Sequence, residues 1–117
     1  MSNLENPLPN CPSSPNCKRV SFVLESDSSS VFQSFEEVLD KMNTESISSH
    51  KEKKRIDAVF KIPVFGFKDD VSVAMKADGN STNVFIRSAS REGYWDIWVN
   101  GIRVRRIIKL VKKNLST

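Results

Sequence analysis

Two stretches of alternating apolar and polar residues meet at Asp78-Gly79, and that juncture restricts the fold more than any other feature of the chain. Val71, Val73, Met75 and Ala77 mark one face of the first stretch, and Val84 and Ile86 continue the pattern in the second. Such a period of two belongs to a half-buried strand, and an Asp-Gly pair between two such segments signals a tight hairpin. A type I′ turn needs φ > 0 at both central residues, which Asp-Gly tolerates. With Asp78 and Gly79 as the turn, Ala77 faces Asn80, Met75 faces Thr82, Val73 faces Val84 and Val71 faces Ile86. Every apolar partner then falls on one side of the ribbon.

The same period recurs upstream. Ile56, Ala58, Phe60 and Ile62 alternate with Arg55, Asp57, Val59 and Lys61, and Pro63 ends the run. Ser46-Ile47-Ser48 offers a weaker partner strand across the charged turn Lys51-Glu52-Lys53-Lys54. Val20, Phe22 and Leu24 suggest a further short strand near the start. Two segments have a helical period instead. Val31, Phe32, Phe35, Val38, Leu39 and Met42 make a stripe that predicts a helix over 31–42, with Ser30 and Gln33 as a capping box. Val104, Ile107, Ile108, Val111 and Leu115 predict a second over 101–114, with Asn100 as its N-cap. Helices with one apolar stripe need a sheet face to cover. The expected fold is α+β: an antiparallel sheet of about four strands with two helices packed on one face. Residues 1–17, which hold four of the five prolines, read as an extended arm, and 18–117 as a single domain.

Length and composition fit that reading, since 117 residues with 38% hydrophobic content build one core. No apolar run approaches the roughly 20 residues that span a bilayer. The N-terminus, Met1 to Pro7, lacks the basic start and apolar stretch of a secretory signal, so the expected location is cytoplasmic. The net charge of +4 is unevenly spread: residues 87–117 carry eight Lys/Arg against Glu92 and Asp96, and the rest of the chain is slightly acidic. A basic end attracts nucleic acid, anionic membrane or acidic partners, although a Lys/Arg-rich solvated helix face looks the same. Cys11 and Cys17 are the two cysteines and His50 the one histidine, too few for a four-ligand zinc site, and no metal or cofactor is expected. The two prolines between the cysteines bend a short loop, so a local disulfide is geometrically allowed; a reducing cytoplasm would keep both as thiols.

The densest chemistry lies between the last strand and the last helix, in Arg87-Ser88-Ala89-Ser90-Arg91-Glu92-Gly93-Tyr94-Trp95-Asp96-Ile97-Trp98-Val99-Asn100. So many donors beside a helix start suit an anion, and they equally suit a structural network in which Asp96 pairs an arginine. Cys-Pro-Ser-Ser-Pro-Asn-Cys at 11–17, Phe65-Gly66-Phe67-Lys68-Asp69-Asp70-Val71, and the segment from Arg87 to Tyr94 with Asp96, Asn100, Arg103 and Val104 resemble three motifs of the domain of unknown function 1499 family. They come in that family's order. The resemblance implies a fold and a set of positions but no reaction. Two departures stand out: Lys18-Arg19 follows Cys17 where small residues are usual, and Trp98 occupies a position where glycine is common, narrowing any cleft other members possess.

Three functions compete. The first is a non-enzymatic binding module in which Arg87, Ser88, Ser90, Arg91, Asp96, Asn100 and Arg103 form the site. Its partner would be an anionic small molecule or an acidic protein, because arginine's planar fork suits carboxylate or phosphate. The second is an enzyme using the Asp69, Asp70 and Asp96 carboxylates, or Ser88 or Ser90 as nucleophile. A serine nucleophile needs an adjacent base, and His50 lies in an unrelated region. Adjacent Asp69 and Asp70 also point to opposite strand faces, so only one can join a given site. The third is nucleic-acid or anionic-surface binding through the basic last helix. Nucleic acid is disfavoured, because Ile97, Trp98 and Val99 read as core rather than as a stacking platform.

Overall fold

The computed structural model describes residues 5–12, 16–62, 66–91 and 98–117. In chain order the elements are β1 (Cys17–Leu24), α1 (Ser28–Lys41), β2 (Ser46–His50), β3 (Arg55–Lys61), β4 (Lys68–Asp78), β5 (Ser81–Ser90) and α2 (Val99–Leu115). The strands form one antiparallel sheet ordered β1-β5-β4-β3-β2. The architecture is the expected α+β, with five strands instead of about four. The serine-rich β2 pairs fully with β3, Ile47 facing Ala58, even though its side chains are mostly exposed.

Both helices cover one face of this sheet. Phe32, Phe35 and Leu39 from α1 and Val104, Ile107 and Val111 from α2 join Ile56, Val71, Val73, Val84 and Ile86 in a single core. The helices are also pinned to each other. Asn114 Nδ2 donates to Ser34 Oγ at 2.9 Å and to Glu37 Oε1 at 3.0 Å, and buried Ser34 donates to the Val111 carbonyl at 3.4 Å. On the opposite face a smaller cluster of Leu8, Ala74 and Phe85 seats the N-terminal arm. The arm's carbonyls at Asn6 and Asn10 accept hydrogen bonds from Arg19 and Arg87, which face each other across β1 and β5. A Cys11–Cys17 disulfide, with Cα atoms 5.6 Å apart, returns the arm to the start of β1.

The hairpin differs from the expected register by two residues. Asp78 pairs with Ser81, Ala77 with Thr82, Met75 with Val84, Val73 with Ile86 and Val71 with Ser88. The turn residues are thus Gly79 and Asn80. Only Gly79 has a positive φ there, +62°, so neither Asp78 nor Asn80 bears the left-handed conformation that a β-carbon disfavours. A shift of two preserves every inward face, which is why alternation alone does not distinguish the registers.

Helix starts also differ from expectation. The N-cap of α1 is Asp27, not Ser30: its carboxylate accepts from the Ser30 amide at 3.0 Å and the Ser30 hydroxyl at 2.7 Å. Asn43, at φ 63°, supplies the left-handed residue that follows the helix end. For α2 the N-cap is Trp98, without a side-chain cap bond, and Asn100 sits inside the first turn, fully buried.

These contacts predict an acid dependence. The Ser30 hydroxyl and then the Ser30 amide hold the Asp27 carboxyl below its ordinary value of 3.8. Burial alone would raise Asp57, but hydrogen bonds from Arg55 and Ser72 outweigh it and leave that carboxyl lowered too. Groups that titrate lower when folded stabilise fully above the unfolded value, and that stabilisation is lost as the pH falls through the folded values. Asp27→Ala should therefore lower the urea midpoint at neutral pH, and its difference from wild type should shrink in parallel titrations below pH 3.8.

Candidate functional site

Strand parity decides which signature residues meet. Along β5, Thr82, Val84, Ile86 and Ser88 face the helices, whereas Phe85 and Arg87 face the arm. Along β4, Asp69 shares the inward parity of Val71 and Val73, and Asp70 points outward, as alternation requires. The first turn of α2 lies against this end of the sheet and contributes Asn100 and Arg103.

The result is a buried polar cluster. Ser88 donates to Asn100 Oδ1, and Asn100 Nδ2 donates to the Asn16 carbonyl at 2.9 Å. Arg103 Nη1 lies 2.7 Å from Asp69 Oδ2, 2.8 Å from Asn100 Oδ1 and 3.3 Å from Ser88 Oγ. The Arg103 guanidinium stacks over the Phe60 ring at 4.7 Å, a cation–π contact with the remaining face of the ion pair. Side-chain exposure is 10% for Arg103 and 1% for Asp69, so the pair is almost wholly withdrawn from water. The Asn16 carbonyl also accepts from the Ser90 amide at 3.0 Å, which ties the end of the arm to both β5 and α2.

Of the sequence-derived site, then, Ser88, Asn100 and Arg103 converge, with Ser90 at the margin through its backbone. Arg87 does not join them; it lies on the opposite sheet face and holds the arm. Arg91 is on the outer side as well, in a bidentate pair with Asp70 at 2.8 and 2.9 Å. Asp96 lies outside the described residues. Asp69, which the sequence places in a separate catalytic reading, is the acceptor that Arg103 uses. Asn16, which lies inside the Cys-Pro-Ser-Ser-Pro-Asn-Cys motif, and Phe60, on an alternating strand, join the cluster although neither reads as a site residue from the sequence. Asn16 acts through its carbonyl, which every residue type possesses, and Phe60 reads only as core.

Other features of the described residues are simpler. His50 is exposed and within 3.1 Å of the Ser48 hydroxyl, and no three His, Cys, Asp or Glu residues are grouped to hold a metal among the described residues. No helix among them is long and apolar enough to cross a membrane. Trp98 is 71% exposed, so it points into solvent and not into a cleft. Between the helices runs an open groove of about 370 Å³, with Val38, Met42 and Leu110 along it and Lys41, Arg106 and Lys113 at its edges.

The outer face of α2 has a distinct character. Arg105, Arg106, Lys109, Lys112 and Lys113 are all exposed there, and the helix has no acidic residue. None of the five makes an ion pair among the described residues.

A five-stranded antiparallel sheet backed by two helices, locked at one end by a buried Asp–Arg–Asn–Ser cluster, defines a compact two-layer α+β module. The chain belongs to the family described as protein of unknown function (DUF1499), whose model matches residues 7–111. No curated protein matches it. Among solved structures it is similar to a conserved protein from Geobacillus kaustophilus, with 11% identity, a TM-score of 0.46, and coverage of 86% of this chain and 95% of that one. It is also similar to a protein from Thermus thermophilus, TTHA0849, with 12% identity, a TM-score of 0.39, and coverage of 85% and 93%.

Proposed function

We propose that the protein is a non-enzymatic binding module that engages an anionic partner, and that the outer face of α2 is the surface it uses. The observation that carries this reading is the row of five exposed cations, unpaired among the described residues, on a helix without a single carboxylate. By contrast, two arginines of the signature already have carboxylate partners, Arg103 in Asp69 and Arg91 in Asp70. An anion arriving there would have to displace an internal ligand, whereas one arriving at α2 meets charge compensated only by solvent and salt. The same two ion pairs weigh against catalysis by Asp69 or Asp70, since each carboxylate is bound by a guanidinium. A cytoplasmic site of action would hold Cys11 and Cys17 as thiols, so that location and the Cys11–Cys17 bridge are alternatives for the working protein.

Retention on immobilised heparin tests the reading. Wild type should be retained at low salt and released as salt rises, because the attraction is between exposed charges. Reversal of Arg105, Lys109 and Lys112 to Glu should abolish retention without altering the melting temperature. Equal retention of the reversed variant would overturn the assignment to this face.

A further inference from the structure

Four large apolar side chains are exposed among the described residues, and three of them, Trp98, Val99 and Ile102, occupy the start of α2. Trp98 is 71% and Ile102 53% exposed, on a helix whose inward stripe of Val104, Ile107 and Val111 is completely buried. The sequence pattern assigns Trp98 and Val99 to the core, and the structure places them outside it. The inward stripe of α2 and the inner face of the sheet are buried without them.

The positions of these residues relative to the cations are specific. Ile102, Arg105, Lys109 and Lys112 follow one another at spacings of three and four, which places them along one line on α2, and Trp98, the N-cap, precedes Ile102 by about one turn. With Trp98 included, that line is roughly 21 Å long at the helical rise per residue. Its first turn is apolar and aromatic, and the remainder is cationic, with Arg106 and Lys113 alongside. From these observations we infer that the anionic partner is a lipid bilayer surface, with Trp98, Val99 and Ile102 entering the interfacial layer and the basic stripe lying over anionic headgroups. The inference rests on the reading of α2 as the binding face and specifies its partner.

Two physical arguments favour a bilayer over another polyanion. An indole has an apolar body and one N–H donor, which suits it to the boundary between acyl chains and headgroups. Val99 and Ile102 gain nothing from a phosphate backbone and have no π-face for a base, but they do gain from leaving water for an acyl environment. Charge complementarity supplies the rest. A cationic helix face is drawn to an anionic leaflet, and a small apolar contact is sufficient when electrostatic attraction accompanies it. The opposite side of α2 is committed to the sheet, so the helix is presented in one orientation without a folding transition on binding.

The test uses the full chain with vesicles of phosphatidylcholine alone and vesicles containing about one-third phosphatidylglycerol. Wild type should co-sediment with the anionic vesicles at least roughly tenfold more strongly than with the neutral ones, and the excess should fall in high salt. Bromine-labelled acyl chains should quench its tryptophan emission, and Trp98→Phe should remove most of that quenching while retaining binding. Trp98→Ser combined with Ile102→Ser should weaken vesicle binding roughly tenfold and leave heparin retention unchanged. Anionic vesicles bound no better than neutral ones, or bound equally by the double variant, would overturn the inference. If heparin retention persists in that event, the cationic face still binds polyanions and only the bilayer assignment falls. Loss of both would remove the functional reading as well.

Discussion

Asp69→Ala is expected to lower the free energy of unfolding by about 3–5 kcal/mol, the range found when one partner of a buried ion pair is deleted. The substitution leaves the Arg103 guanidinium enclosed against the Phe60 ring, with the neutral oxygens of Asn100 and Ser88 as acceptors. Neither can balance its charge. Paired with Arg103→Met, the same substitution should recover much of the loss, because apolar side chains of similar volume can replace a buried pair at little net cost. Urea unfolding of the two single variants and the double variant measures the coupling directly. A loss for Asp69→Ala below about 1 kcal/mol would mean that water reaches the pair, contrary to its burial.

Removal of the disulfide, by Cys11→Ser with Cys17→Ser, should destabilise the chain by about 2–3 kcal/mol on the loop-entropy account. Its structural effect should extend beyond the loop it closes. Cys17 neighbours Asn16, whose carbonyl receives the Ser90 amide and the Asn100 side chain. Hydrogen exchange at the Ser90 amide should accelerate in the serine variant, and in wild type treated with reductant, more than exchange at Ser49 on the far side of the sheet. Uniform acceleration at both positions would show that the bridge stabilises the fold globally without bracing this corner.

Periodicity makes the layers of this fold legible. Residues 31–42 and 101–114 each carry one uninterrupted stripe, and the strands around Asp78-Gly79 alternate cleanly, so class, helix number and inward faces follow from the pattern. Details that depend on a single backbone angle are not legible: the turn sits at Gly79-Asn80 because one positive φ is easier to accommodate than two. Asp27 displaces Ser30 as a cap because a carboxylate can accept from both the amide and the hydroxyl of the same residue. At the candidate site the motifs identify Ser88, Asn100 and Arg103, but pairing Arg103 with Asp69 requires knowing that β4 and β5 are neighbours in the sheet. Arg87 falls outside the cluster for the simplest reason. It is one residue from Ser88, and one residue is enough to change faces.

The place of β1 at the sheet's edge, beside β5, has a kinetic consequence. Strands β2 to β5 form a meander in which each is joined to the next by a short connection, so their pairing closes small loops. Cys17 opposite Ala89, in contrast, joins positions separated by most of the chain. Closing so large a loop loses more entropy before any contact compensates, which makes this pairing the slow step in completing the sheet. On a ribosome β1 emerges first yet must wait for its neighbour, and α2, whose first turn seals that junction, emerges later still. The meander can zip as it appears, but the buried cluster assembles last.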